Sequence, residues 1–137
     1  MSTLHLRALK QGLDAVLALG TPKLSFMATG FTPNAGTQAF WSDVSASRAT
    51  GTTDVTLASI TTTVDAGNAR MEFDTANPSL TTITTTTNKY TIWVDTGSNA
   101  TSPILATIDI AEGTLSPISG TLGITVNAEG HFALKAI

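Results

Sequence analysis

The sequence predicts a mainly β protein: an N-terminal amphipathic helix followed by about eight antiparallel strands in a sandwich or barrel. Three observations carry this reading. About one residue in five is Thr, whose β-branched side chain favours extended backbone. Apolar residues recur at helical spacing only near the N-terminus, and from Lys23 onward the period becomes two. Gly, Pro, Asn and Asp then interrupt the chain every few residues, as the turns of an all-β domain require.

The helix is expected over residues 3–19. Leu6, Leu9, Leu13 and Val16 form an apolar stripe that Leu4 and Leu17 widen, with His5, Arg7, Lys10, Gln11 and Asp14 on the opposite side. Ser2 or Thr3 is placed to cap its free N–H groups, and Gly20 before Thr21-Pro22 is the expected stop. A one-sided helix needs a surface to lie on, either its own sheet or a neighbouring subunit.

Leu24, Phe26 and Ala28 open the strands. The stretch Gly30–Val44 then holds two of the five Phe and one of the two Trp, although aromatics are only 6% of the chain. Such crowding marks an anchor of the core or of an interface. Pro33-Asn34-Ala35-Gly36 reads as a turn and Phe40–Val44 as a strand, on which Phe40 and Trp41 would point to opposite faces. One would then fill the core while the other meets a partner. Phe31, Pro33, Phe40 and Trp41 are the candidate partner-binding residues.

Between Thr52 and Val64 the alternation changes phase, which predicts a bulge near Ala58-Ser59. Asp65-Ala66-Gly67-Asn68 reads as a hairpin connection, with Gly67 and Asn68 suited to positive φ, leading to Ala69, Met71 and Phe73 on one face. The Thr-rich tract Thr81–Thr87 around Ile83 suits an exposed or edge strand. Tyr90, Ile92 and Val94 alternate with Trp93, which predicts a strand covered on both faces. Ile104, Ala106, Ile108 and Ile110 form the next strand. Leu122, Ile124 and Val126 are expected to form a hairpin with Phe132, Leu134 and Ala136 through the turn Asn127-Ala128-Glu129-Gly130. The breaks are too short to divide the body, so the organisation is a helix, 1–20, and a single β-rich domain, 21–137.

Composition narrows the function. Charged residues make up only 12% of the 137, about half the usual share, and the net charge is −3. Few like charges repel approaching copies, so homo-oligomerisation or incorporation into an assembly is expected. The seven Lys and Arg are scattered, which argues against nucleic acid. There is no Cys for a disulfide or thiolate metal site, no apolar run of membrane-spanning length and no signal-peptide layout at the N-terminus. A soluble protein made in the cytoplasm is the expectation.

No catalytic, cofactor or metal residues are assigned. His5 and His131 are the only near-neutral bases, and neither belongs to a Ser-His-Asp or Cys-His pattern. Asp95, Asp109 and Glu112 fall near loop ends but lack the oxygen density a calcium loop needs. Asn99-Ala100-Thr101 matches a glycosylation acceptor, a short pattern that a Thr-rich chain reaches by chance. The isolated glycines build no phosphate cradle.

One order of motifs stands out. Phe31-Thr32-Pro33 is followed by Phe40-Trp41-Ser42-Asp43-Val44, Asp74 before the Thr-rich strand, Tyr90 leading to Val94-Asp95-Thr96-Gly97, Ser102-Pro103, Ile108-Asp109, and Gly120-Thr121 to Asn127-Ala128-Glu129-Gly130. This order resembles small structural proteins of tailed bacteriophages, of the head-decoration (capsid cement) type, over nearly the whole chain from Pro22. It departs between Arg48 and Asp54, where Ala49-Thr50-Gly51-Thr52-Thr53 stands in place of an aromatic and a Gly pair. The resemblance implies a non-enzymatic virion protein without a cofactor that sits on the capsid surface as a trimer and stabilises it by binding the major capsid protein. The alternative is a receptor- or glycan-binding module of a tail tip or fibre, with Trp41 or Trp93 stacked on a sugar. A wall hydrolase would need a carboxylate pair that spacing does not locate.

Overall fold

The structure, a computed structural model, describes residues 5–127 and 130–135. Helix α1 (Leu6–Leu17) is followed by β1 (Thr21–Ala28), the single-turn helix α2 (Trp41–Val44) and a 3-10 turn at Ser45–Ser47. Then come β2 (Val55–Thr56), β3 (Thr61–Asp65), β4 (Arg70–Asp74), β5 (Ser79–Ile83) and β6 (Thr87–Asp95). After a 3-10 turn at Asn99–Thr101 come β7 (Ile104–Asp109), β8 (Gly120–Gly123) and β9 (Phe132–Lys135). The fold is mainly β with an N-terminal helix, as expected. Its strands form three antiparallel sheets, ordered β2-β1-β6-β7, β3-β4-β9 and β5-β8.

Strands β1 and β6 are the centre of the molecule because both of their faces are covered. On one face Leu24, Phe26, Tyr90 and Ile92 meet Met71 and Phe73 of β4, Leu122 of β8 and Leu13 of α1 in the main core. On the other, Met27 and Trp93 meet Phe31, Trp41 and Val44 in a second cluster. The two-faced strand read from Tyr90–Val94 is present: Tyr90 through Val94 are all buried.

Helix α1 packs on its own β3 and β4, where Asp14 accepts a hydrogen bond from Thr62 Oγ1 and Leu17 joins the core margin. It is shorter than expected. His5 stands at the N-cap without a side-chain bond, and the expected caps Ser2 and Thr3, with Leu4, lie outside the described residues. The helix ends at Leu17 with Ala18 as its C-cap, before the expected stop at Gly20, whose place in the chain is fixed by close approach: an added Cβ would lie 2.0 Å from the Asp95 carbonyl oxygen.

Four local expectations are corrected. Phe40–Val44 is not a strand, because the Asp43 carboxylate accepts the N–H groups of Ala39 and Phe40 and winds the next residues into α2. In place of a bulge at Ala58-Ser59 the chain breaks, with φ of 53° at Ser59, so β2 and β3 join different sheets. Asp65–Asn68 does connect a β3–β4 hairpin, yet the positive φ falls on Ala69, while the Asp65 carboxylate holds the Asn68 N–H and amide. The last two strands do not pair with each other. Gly130 N–H donates to the Asn127 carbonyl, but His131 N–H then binds the Phe73 carbonyl and sends β9 to β4, while β8 pairs β5. Ala128, Glu129 and Ala136 of that expected hairpin lie outside the described residues.

The Thr-rich tract divides. Ile83 ends β5, an edge strand of the two-stranded sheet, whereas Thr85 and Thr87 are buried. Thr87 Oγ1 donates its one proton to the Met27 carbonyl at 2.6 Å, with the Lys89 carbonyl 3.0 Å away, at the β1–β6 irregularity.

Candidate functional site

The aromatic anchor folds around the end of β6. Trp41 N–H donates to the Ser102 carbonyl, Phe40 bridges Pro103, and Ile104 N–H donates to the Ala39 carbonyl. These bonds pin α2 to the segment that leads into β7. The Trp41 ring stacks on Trp93 with centroids 4.5 Å apart and planes 5° from parallel. Trp93 Nε1–H donates to the fully buried Ser25 hydroxyl, which donates to Asp54, itself paired with Arg48. Lys23 lies 5.8 Å from the Trp93 ring and binds Asp95 at 2.7 Å. That bond, with the Gly97 N–H, holds the Asp95 carboxyl below its usual range.

The four partner-binding candidates therefore separate. Phe31 and Trp41 are buried in the second cluster, Pro33 is exposed, and Phe40 is 42% exposed. The expected division between Phe40 and Trp41 is present but arises differently. Phe40 is extended at the N-cap and turns outward, while Trp41 is the first helical residue and turns inward.

A second group of polar side chains gathers where sequence distance hides it. His131 is buried, with Nε2 2.7 Å from Thr75 Oγ1 and Nδ1 3.1 Å from the Tyr90 hydroxyl. Burial lowers the His131 pKa against the smaller opposing pull of Asp74, and it pushes Tyr90 up to about 12. At neutral pH both are uncharged partners. Both imidazole nitrogens are occupied by hydroxyls, so the arrangement braces β4, β6 and β9 against one another. The only legible signal of it was a histidine beside apolar Phe132; the partners come from residues 56 and 41 positions away. His5 is exposed at the helix start.

Tyr90 and His131 also line a cleft of about 450 Å³ walled by Ile108, Leu115 and Ile124, with Asp109 and Glu112 among its lining residues. Both acids are exposed, as loop-end carboxylates were expected to be. A second cleft, of about 420 Å³, lies between the anchor loop and β7, lined by Pro33, Ala39, Val44 and Ile104 to Thr107. Among the described residues no group of three His, Cys, Asp or Glu is placed to hold a metal, and no helix is long and apolar enough to cross a membrane. Asn99, of the glycosylation pattern, is exposed in its 3-10 turn.

Compared with known proteins, the chain matches no protein-family model, no curated protein and no solved structure.

Proposed function

We propose that this protein is a non-enzymatic component of a phage virion that binds the outside of the assembled capsid and stabilises it by bridging major capsid protein subunits, as a trimer. The observation that carries the reading is Phe40, a large aromatic left 42% exposed at the point where backbone bonds to Ser102–Ile104 and the Trp41–Trp93 stack hold the chain. A fixed aromatic loses little conformational freedom on binding, which is the character of an interface anchor. The motif order in the sequence and the low charge agree with it. The glycan-binding alternative loses its premise, because Trp41 and Trp93 are each 2% exposed and cover one another.

Sedimentation with undecorated heads is the direct test. Wild-type protein is expected in the pellet at saturable stoichiometry, and Phe40→Ala is expected to bind about tenfold more weakly, an ordinary loss for an interface aromatic. Wild-type protein left wholly in the supernatant would overturn the proposal.

A further inference from the structure

The outer edge of β7 has the construction of a strand-docking track. Ile110 N–H donates to the Asn88 carbonyl, and beyond an irregularity Val94 N–H donates to the Pro103 carbonyl. Tyr90/Ile108 and Ile92/Ala106 are therefore the pairs that exchange ladder bonds, and alternation turns the N–H and C=O of Thr107 and Asp109 away from β6. The Thr91 and Thr107 hydroxyls, 2.9 Å apart, fit the closer side-chain approach of a pair without ladder bonds. Ile104 N–H is taken by Ala39, but among the described residues no other element's backbone bonds to Thr107 or Asp109. The strand carries neither Pro nor Lys, the usual guards of an open edge.

What distinguishes this edge is its flanks. The cleft with Ile108, Leu115 and Glu112 opens on the main-core face, and the cleft with Pro33, Val44 and Ile104 lies beside the tryptophan cluster. Side chains of an added strand alternate between faces, so neighbouring residues would enter opposite clefts. Charge selects between them. The core-face cleft is lined by Glu112 and, among the described residues, by no Lys or Arg; Asp109 borders it too, but alternation with Ile108 turns its carboxylate to the opposite face. Lys89 stands opposite Asp109 in the β6–β7 register, but its ammonium is bound to Asn88 Oδ1 at 2.8 Å. The cleft beside the tryptophans has no charged lining residue among the described residues.

We propose that β7 receives an extended segment of a partner protein as a fifth strand, with an aliphatic side chain in the cleft beside Pro33 and Val44. The next residue is a Lys or Arg whose stem lies along Ile108 and Leu115 and whose charge meets Glu112. This inference rests on β7 and its clefts, and it holds whether or not the partner is a capsid subunit.

The test is an NMR titration of the full chain with the acetylated, amidated peptide TVKVTVKT and its charge-reversed form TVEVTVET. Hydrogen exchange at Thr107 and Asp109 is expected to slow about tenfold at saturation with the first, and the second is expected to bind at least about tenfold more weakly. Asp109→Pro removes an outward-facing N–H, a change edge strands tolerate, and abolishes binding. Glu112→Lys, at an exposed site, reverses the preference between the peptides and decides the matter even if the proline variant does not fold. Absence of binding at millimolar peptide, equal binding of both peptides, or saturation without slowed exchange at Thr107 and Asp109 would each overturn the proposal. So would protection that rises with protein concentration in the absence of peptide, which assigns the edge to a second copy of the chain.

Discussion

Trp41→Ala is expected to cost about 4 kcal/mol, whereas Phe40→Ala, one residue away, costs about 1 kcal/mol. Trp41 is 2% exposed and packs with Phe31, Val44 and Met27, so truncation leaves a cavity that Trp93 alone cannot fill. Core Phe or Trp to Ala changes span about 3–5 kcal/mol, and loss of a parallel stack at 4.5 Å moves the estimate into the upper half of that range. Phe40 already exposes 42% of its surface, and its backbone bonds do not depend on its ring. Against a total stability of about 5–15 kcal/mol, the first change removes a large fraction and the second a small one. For a chain of this length the corresponding fall in Tm is roughly 10–20 °C for Trp41→Ala and less than about 5 °C for Phe40→Ala. Urea unfolding followed by far-UV circular dichroism avoids the lost Trp fluorescence and gives both values. A cost below about 1 kcal/mol for Trp41→Ala, or a larger cost for Phe40→Ala, would refute the assignment of the inner and outer aromatic.

Three other outcomes follow from the same geometry. Because burial depresses the His131 pKa, the unfolded chain binds a proton first as pH falls below about 6.5, so stability is full above that value and declines below it. His131→Gln should flatten the urea midpoint between pH 7 and 5, a window above that of the carboxyls held low, Asp14 by Lys10, Asp65 by Asn68 and Asp95 by Lys23; an unchanged slope excludes the buried imidazole as its source. Gly130→Ala should destabilise by more than about 2 kcal/mol, since φ is +83° and the new Cβ would lie 2.0 Å from the Phe73 carbonyl oxygen, whereas Gly12→Ala, with nothing within 4 Å inside α1, should stabilise by up to about 1 kcal/mol; calorimetry showing the same sign for both would contradict the close approach. Thr85→Val should be neutral or gain up to about 1 kcal/mol, because Thr85 Oγ1 is buried without a hydrogen-bond partner among the described residues, and a clear loss of Tm would reveal a bond that the hydroxyl makes.

Where one apolar period ran for several residues, the elements were legible. The stripe Leu6–Leu17 became α1, Met71 and Phe73 became the buried face of β4, and Tyr90–Val94 became the strand with two covered faces. Errors came where short segments offered two solutions. Phe40–Val44 contains too few residues for a period to show, and Asp43, by accepting two N–H groups, decided for a turn of helix. The C-terminal hairpin failed because turn residues such as Asn127 and Gly130 signal a change of direction but not the strand that receives the chain. His131 was visible as a base without a partner; Thr75 and Tyr90 reach it only through the β4–β9 and β6 packing.

Local chemistry thus carried the class of the fold, the N-terminal helix, the strand periodicity and the importance of the Gly30–Val44 aromatics, since propensity and amphipathicity act between near neighbours in the chain. Tertiary packing decided which aromatic is buried, how the strands divide among three sheets, which edge stays open and where the two clefts meet it. Those features depend on contacts between residues tens of positions apart, and a period of two leaves the choice of pairing partner undetermined.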